Sequence, residues 1–314
     1  MHRTLNPAHP APAPAFGLRA PALLGVGALL LTGCGGAATD TSDSQADLRA
    51  RVPGAIRAAG ALKIGSYLHY PPVDFRDSDA KPAGLDPEIA AAVGDYLGLR
   101  VQFTDLPFDQ LIPAVRAKRV DLAMSAVIDT KQRQLGAADD GHQVDPGVDF
   151  VDYFTTGTSM VVKAGNQVPL TTVESLCGRT VAVQRGTLQD EFATRQQGAC
   201  PRTGKELQVH RFDTDDQALA EVADGTAIAD LNDYPVAQCD TTTPERAGRF
   251  QLANTRFLQS GPYGITVAKD APELRDVISK ALDQVIRGGT YDKILAKWNV
   301  GPGAVSSAVV NGGL

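Results

Sequence analysis

The sequence predicts an α/β fold built of two lobes, and two observations carry this prediction. Strand and helix patterns alternate from residue 62 to residue 127, and the same alternation starts again at residue 179 and runs to residue 232. Alternating strands and helices indicate a parallel sheet with helical crossovers. Two separate runs therefore indicate two sheets. A hydrophobic content of 43% with 21% charged residues is typical of a globular chain that buries a sizeable core.

The first run opens with a short apolar strand at residues 62–66. Asp86 is suited to cap the following helix, with Pro87 at its first position, and Gly98 is placed to end it. The remaining elements of this run are a strand over 100–104, a helix over 109–118 and a strand over 120–127.

The second run repeats this order. Thr214 and Gln217 form a capping-box pattern before a helix that Gly225 is placed to end. The other elements of the run are strands over 179–185, 207–212 and 227–232 and a helix over 188–197. Two further helices, at 272–287 and 291–298, come after the second run and predict a return of the chain to the first lobe.

The N-terminal residues indicate export. Arg3 and Arg19 precede a short apolar run that stops at Leu31-Thr-Gly-Cys34, and a polar stretch follows. The run is shorter than the roughly 20 residues that a membrane-spanning helix needs, so it is typical of a secretory signal. The last four residues resemble the bacterial lipobox. That resemblance implies a lipoprotein signal peptide over 1–33, acylation of Cys34 by palmitate-type chains, and a flexible tether over 34–47. The chain is then extracytoplasmic and lipid-anchored; an ordinary signal peptide with an incidental cysteine is the alternative.

Three cysteines remain, Cys177, Cys200 and Cys239, and disulfides persist outside the cytoplasm. Three single pairings are possible. We favour Cys177–Cys200, because the helix after the 179–185 strand returns antiparallel and brings its end near the start of that strand. A zinc site is the rival interpretation, but the chain has no CxxC pattern and no nearby pair of histidines.

The net charge and the absence of several enzyme motifs exclude some classes of function. A net charge of −6 argues against a nucleic-acid partner, which would call for a basic surface. The patterns of zinc proteases, serine hydrolases, P-loop proteins and dinucleotide-binding proteins are absent from the sequence. We therefore expect no enzyme, no cofactor and no metal.

Charged residues at predicted strand ends indicate a ligand site instead. In an open α/β sheet, ligands bind beyond the carboxyl ends of the strands. Arg133 follows such an end, where its guanidinium and the backbone N–H of Ala126 are predicted to hold an anion. Thr187 and Leu188 begin a helix, where free N–H groups also attract an anion, and Asp233 ends a strand and is suited to face an ammonium group. Each of these residues alone is more often a surface ion-pair or capping residue; together they describe a site for an α-amino acid.

Seven segments, in order, resemble a known family. They are 63–72, 84–90, 108–113, 130–133, 181–187, 232–237 and 288–298. Together they resemble the amino-acid-type extracytoplasmic solute-binding proteins, family 3, of ABC importers, over residues 60 to 300.

The resemblance implies a periplasmic-binding-protein-like fold, with two parallel-type sheets joined by two hinge strands. Lobe 1 then comprises 48–156 and 261–300, lobe 2 comprises 157–260, and 301–314 is a C-terminal tail. The lobes would close on a free amino acid, and the closed form would deliver it to the ABC permease subunits in the membrane. The chain is expected to act as a monomer.

The same resemblance assigns roles to residues. Arg133 is similar to the family's carboxylate-binding arginine and Asp233 to its ammonium-binding aspartate. Tyr70 and Phe108 fall where aromatic residues line the ligand side chain, although core filling explains them as well. The complete predicted binding set is Tyr67, Tyr70, Phe108, Ser125, Ala126, Ile128, Arg133, Thr187, Leu188 and Asp233.

Three departures from the family pattern bear on specificity. Tyr67 stands where several binders of basic amino acids carry Asp, which favours a small ligand with a polar or uncharged side chain over a basic one. Ile128 stands where many members have Ser or Thr helping to bind the ammonium group. Residues 135–148 form an insertion, which we expect to be a surface hairpin or loop.

Two other functions remain open on the same fold. One is an enzyme resembling a cyclohexadienyl dehydratase, for which Asp74, His69 or Asp129 would have to supply the acid or base. The other is a ligand-sensing lobe for a membrane receptor.

Overall fold

The computed structural model describes residues 44–138, 141–253 and 256–314. The predicted signal peptide, Cys34 and the first part of the predicted tether lie outside the described residues.

The described residues form helices and strands in the following order along the chain. The helices are α1 (Gln45–Arg51), α2 (Gly54–Ala59), α3 (Leu85–Leu97), α4 (Leu111–Arg116), α5 (Lys131–Leu135), α6 (Leu188–Ala199), α7 (Asp215–Asp224), α8 (Tyr234–Thr242), α9 (Pro272–Arg287) and α10 (Thr290–Trp298). The strands are β1 (Ala61–Ser66), β2 (His69–Tyr70), β3 (Asp74–Arg76), β4 (Pro82–Ala83), β5 (Arg100–Asp105), β6 (Leu122–Ala123), β7 (Val148–Lys163), β8 (Thr180–Gln184), β9 (Gln208–Phe212), β10 (Ala229–Asp233), β11 (Phe250–Leu252), β12 (Ser260–Ala268) and β13 (Val309–Val310).

The long strand β7 is shared by two groups of strands. The main sheet runs in the order β5-β1-β6-β12-β7-β10-β8-β9. β1 is parallel to β5 and β6, and β8 is parallel to β9 and β10. Residues 148–157 of β7 pair antiparallel with β12, whereas residues 158–161 pair antiparallel with β10. The chain therefore passes from one group of parallel strands to the other along β7 itself.

Each group of strands has its own apolar core. Leu62, Ile89 and Val277 are buried in the first, which we call lobe 1, and Val183 and Leu231 are buried in the second, lobe 2. The helices α9 and α10 pack on α3, so the end of the chain belongs to lobe 1. The predicted two-lobed α/β fold is confirmed.

Lobe 1 starts earlier than predicted, so the tether ends before residue 47. Residues 45–47, which were expected to be flexible, form the first turn of α1. Ser44 and Asp47 make a reciprocal capping box, and Leu48 is completely buried. The folded part of the chain thus begins before residue 48.

The predicted strand over 120–127 is much shorter in the structure. β6 covers only Leu122–Ala123, because the following residues turn away from the sheet. The hydroxyl of Ser125 donates to Asp74, and the N–H of Ala126 donates to Asp86 Oδ2 at 2.8 Å. Ala126 has a positive φ of 51°, which a strand residue does not adopt. Buried carboxylates, rather than a neighbouring strand, therefore satisfy these polar groups.

The insertion over 135–148 folds back on itself, with an antiparallel bridge between Ala137 and Gln143. Asp145 accepts from Arg116 Nη1 at 2.6 Å, which ties the segment to α4.

A disulfide bond joins Cys177 to Cys200 in the core of lobe 2. The two residues are 23 positions apart. We expect the double substitution Cys177→Ala/Cys200→Ala to lower the free energy of unfolding by about 3 kcal/mol, because the unfolded chain regains the entropy of that loop. Urea unfolding of the wild type and the variant measures the difference. Cys239→Ala, which removes a half-buried free thiol, is the control; equal losses in both variants would contradict the prediction.

Candidate functional site

Arg133 reaches from lobe 1 to lobe 2. Its side chain is only 9% exposed. Nη1 donates to the carbonyl of Ile128 at 2.8 Å, which fixes the guanidinium against its own loop. Nη2 donates to the carbonyl of Gly186 at 3.1 Å and to Glu191 Oε1 at 3.1 Å, both in lobe 2. A buried cation therefore stands where the two lobes meet.

Asp233 lies on the opposite side of this junction, at the end of β10. It is 4% exposed, and Gln189 Nε2 donates to its Oδ1 at 2.8 Å. The hydroxyl of Tyr70, from lobe 1, donates to Asp233 Oδ2 at 3.2 Å and to Asn232 Oδ1. The carboxylate predicted to face an ammonium group thus has direct contact with the other lobe.

The positive charge of Arg133 acts on Asp233. Burial raises the pKa of Asp233 to about 6, while hydrogen bonds from Gln189 and Tyr70 and the positive charge of Arg133 act in the opposite direction. If a ligand ammonium group lay beside Asp233, its positive charge would lower the pKa of Asp233, and the carboxyl group would be fully ionised at neutral pH. Opposite charges that converge between two lobes suit a zwitterionic ligand.

The loop after β6 differs from the expected anion site. The N–H of Ala126 is engaged by Asp86 and does not point to a free space. Ser125 Oγ accepts from the N–H of Tyr67 at 2.9 Å and donates to Asp74. Both residues are buried. In this conformation Ala126 does not present the free N–H that was predicted for an anion, and the hydroxyl of Ser125 is engaged by Tyr67 and Asp74.

The remaining predicted residues surround the junction. The hydroxyl of Thr187 caps α6 by accepting from the N–H of Asp190 at 3.1 Å. Leu188 belongs to the apolar cluster of lobe 1, although it lies in the sequence of lobe 2. Phe108 is half-buried beside that cluster, and Ile128 is buried in it. Tyr67 is also buried, and its ring lies 5.3 Å from that of His69.

Several residues of the junction were not predicted. Gln189 and Glu191 occupy the first turn of α6 and contact Asp233 and Arg133. Their position after the helix cap was a usable signal, because first-turn side chains lie at the same edge as the free N–H groups. Asn232, by contrast, was predicted only as a strand residue. The structure shows that its side chain contacts Tyr70.

The C-terminal segment 309–314, which we call the C-terminal strap, lies beside the Arg133 loop. Val309–Val310 pairs with β7. Beyond it, the N–H of Gly312 donates to Asp152 Oδ2 at 3.1 Å and the N–H of Gly313 donates to Asp129 Oδ2 at 2.8 Å. The N–H of Lys131 donates to the carbonyl of Leu314 at 2.7 Å. The strap therefore holds the chain two residues before Arg133.

The strap closes over a pair of buried carboxyl groups, and this predicts a pH dependence. Burial and the neighbouring charge of Asp129 raise the pKa of Asp152 to about 7, from an ordinary value of 3.8. Between these values the folded state binds a proton that the unfolded state releases, so the free energy of unfolding falls as pH rises from about 4 to about 7. We expect a higher Tm at pH 5 than at pH 8, and a smaller difference in Asp152→Asn, which cannot ionise. Thermal melts at both pH values test this; an equal difference in both proteins would refute it.

The fold and this junction define a class of protein, the two-lobed solute-binding proteins. The chain belongs to the bacterial extracellular solute-binding proteins, family 3, whose pattern matches residues 62–301. In the part of the chain that the structure describes, no helix is long and apolar enough to cross a membrane.

Known relatives cover most of the chain. The arginine-binding protein ArgT of Corynebacterium glutamicum is 27% identical over 271 residues, which span 86% of this chain and 84% of that protein. The histidine-binding periplasmic protein of Escherichia coli K12 is 25% identical over 242 residues, which span 76% of this chain and 86% of that protein. The solved structure of an ancestral arginine-binding protein bound to arginine matches with a TM-score of 0.67 and 31% identity, over 76% of this chain and 98% of that one.

Proposed function

We propose that this protein captures a free amino acid outside the cytoplasmic membrane and delivers it to an ABC importer. The observation that carries the proposal is the burial of Arg133 from lobe 1 and Asp233 from lobe 2 at one junction. An α-amino acid carries a carboxylate and an ammonium group on one carbon. Arg133 exchanges the contacts of its Nη2 with Gly186 and Glu191 for the ligand carboxylate, which a guanidinium binds through two parallel hydrogen bonds. Asp233 accepts from the ammonium group.

The contacts between the lobes support a closing mechanism. Arg133 already bonds to Gly186 and Glu191 of lobe 2, and Tyr70 already bonds to Asn232 and Asp233. These contacts join the two lobes in a closed arrangement. The ligand shifts the population toward it only by binding the closed form more tightly than the open one. The closed form is the shape that the permease recognises.

The ligand side chain lies against the aromatic residues of lobe 1. Tyr70 and Tyr67 are buried there, and Phe108 is half-buried at the edge. The expected preference for a polar or uncharged side chain rested on Tyr67 alone, and the arginine- and histidine-binding relatives do not support it.

The proposed function includes a lipid anchor at Cys34. Acylation of Cys34 would hold the protein at the membrane, because two or more acyl chains bind a bilayer firmly where one does not. A tether that ends at Ser44 keeps the monomeric binder close to its permease and raises its effective concentration there.

The contacts of the three candidate acid–base residues also support a binding protein rather than an enzyme. His69 is exposed and pairs with Asp105 Oδ2 at 3.3 Å. Asp74 is buried beneath Ser66 and Ser125, and Asp129 is held by the strap and by Gln134. Each has its own structural partners, and the three do not form an acid–base pair.

Binding is tested by a thermal-shift screen of the purified protein against the common amino acids, followed by calorimetry of each ligand that raises the Tm. Saturable binding of one ligand per chain is expected, since a ligand stabilises the folded state by mass action. The matched assay incubates the protein with prephenate or arogenate, which should remain unchanged. No Tm shift with any amino acid, or turnover of either substrate, would overturn the proposal.

A further inference from the structure

The segment that carries Arg133 is held on one side by β12. Residues 128–133 form this segment, the Arg133 loop. Ile128 makes an antiparallel bridge to β12, and the N–H of Asp129 donates to the carbonyl of Pro262 at 2.9 Å. Arg133 Nη1 donates to the carbonyl of Ile128 in the same loop at 2.8 Å. The direction of the guanidinium therefore depends on where the main chain of the loop lies.

The C-terminal strap holds the other side of the Arg133 loop. The N–H of Leu314 donates to the carbonyl of Asp129 at 3.3 Å, and the N–H of Gly313 donates to the carboxylate of Asp129 at 2.8 Å. The N–H of Lys131 donates to the main-chain oxygen of Leu314 at 2.7 Å. Lys131 is the first residue of α5, and a first-turn N–H has no acceptor within its own helix. The strap supplies that acceptor.

The strap is itself fixed to lobe 1. The N–H of Asn311 donates to the carbonyl of Phe150 at 3.1 Å, and Asn311 Oδ1 accepts from the N–H of Phe150 at 2.8 Å. The N–H of Gly312 donates to Asp152 Oδ2 at 3.1 Å. Phe150 and Asp152 both belong to β7. The Arg133 loop is therefore clamped between β12 and a strap that is anchored on β7.

The strap and the loop leave no room for one more carbon atom between them. An added Cβ on Gly313 would lie 2.2 Å from the carbonyl oxygen of Asp129 and 2.4 Å from its Cγ. Both distances are far inside van der Waals contact, so Gly313→Ala must push the strap and the loop apart. An added Cβ on Gly261 of β12 would lie 2.9 Å from Ile128 Cγ2 and 3.1 Å from Leu314 Cδ1. The loop and the strap are thus closely packed against β12 as well.

We infer that the C-terminal strap positions Arg133 for the carboxylate of the bound amino acid. Its contacts reach the chain two residues before Arg133, in the loop whose carbonyl holds Arg133 Nη1. Its residues act through Arg133 and not by contact with the ligand. The strap lies beyond residues 62–301, which match the family pattern, so it adds to the machinery that this pattern describes. The inference rests on the proposed function, because it requires that Arg133 binds a ligand carboxylate.

The inference is tested with Gly313→Ala and with two probes that differ only at the carboxylate. The first probe is the common L-amino acid that the wild type binds most tightly, and the second is its α-carboxamide, which has no negative charge for Arg133. Calorimetry of the wild type should show the acid binding at least about tenfold more tightly than the amide. Gly313→Ala should weaken binding of the acid about tenfold and binding of the amide by less than about threefold.

Gly301→Ala is the matched control. Gly301 is exposed and also lies near the end of the chain, and an added Cβ there would meet nothing within 4 Å. Both affinities should stay unchanged in this variant. General damage to the fold weakens both probes equally, so the difference between the acid and the amide separates a positioning role from a purely structural one.

Hydrogen exchange gives a second measurement, which needs no ligand. The N–H of Lys131 should exchange at least about tenfold faster in Gly313→Ala than in the wild type, because the strap that supplies its acceptor is displaced. The N–H of Val183, in the core of lobe 2, should keep its rate. Removal of residues 312–314 takes away the same contacts without adding an atom. It should give the same losses, and it tests the inference if Gly313→Ala does not fold.

The outcomes separate the two proposals. Equal losses for the acid and the amide in folded Gly313→Ala, or no loss for either, overturn the role of the strap and leave amino-acid binding intact. An unchanged exchange rate of the Lys131 N–H also overturns that role. Failure of every amino acid to bind the wild type overturns the proposed function itself, and hydrogen exchange then still decides whether the strap holds the Arg133 loop.

Discussion

Arg133→Ala should lose most of the affinity for the amino acid, by about 3–5 kcal/mol or roughly 200- to 4,000-fold in Kd. The reason is that a desolvated ligand carboxylate would be left without its partner in a junction where the arginine is only 9% exposed. Calorimetry with the amino acid that gives the largest Tm shift measures the change.

Two controls make this result specific. Arg133→Lys keeps the charge but loses the planar fork, so an intermediate loss is expected. Arg287→Ala removes an exposed arginine from the end of α9 and should bind normally. Nearly unchanged binding by Arg133→Ala, with its melting transition intact, would exclude Arg133 as the carboxylate-binding residue.

Gly84→Ala should lower the free energy of unfolding by about 4 kcal/mol, through backbone strain and overpacking together. Gly84 has a φ of 119°, and an added Cβ would lie 2.4 Å from the carbonyl oxygen of Val73 and 2.9 Å from that of Pro72. These carbonyls accept from the N–H groups of Asp86 and Leu85 and position the start of α3. Chemical denaturation measures the loss.

Gly60→Ala is the matched control for Gly84. Gly60 also has a positive φ, 59°, but an added Cβ would meet nothing within 4 Å. Only the conformational penalty of about 1 kcal/mol applies there. Similar losses in the two variants would show that contact with the Val73 carbonyl is not the cause.

Local signals predicted the helices well. The helix over 272–287 was predicted with the bounds it has, because Pro272 and the apolar spacing mark it within the segment itself. Gly98 and Gly225 end their helices as expected, both in the left-handed conformation. Arg133 was selected because it follows a predicted strand end by a short turn, and Asp233 because it ends a predicted strand; in the structure Arg133 lies in α5 and Asp233 is the last residue of β10.

Local sequence patterns did not indicate the pairing between strands that are far apart in the chain. β7 carries Asp149, Asp152 and several threonines, so it lacks the apolar alternation that indicates a strand. It is held in the sheet by its partners, among them β12, which lies about 100 residues further along the chain. The hydrogen bonds from Tyr70 to Asn232 and Asp233 are of the same kind, since residues in different lobes meet only after both lobes have folded.

The pairing of β7 with β12 has a mechanical consequence. The two strands stay in contact from Gly157–Ser260 to Val148–Ala268, with a register shift at Tyr263 and Gly264. Gly157 and Ser260 form one end of this ribbon, and beyond Gly157 the strand β7 continues into lobe 2. The two connections between the lobes therefore run side by side, so a movement of one lobe against the other would bend both at the same place.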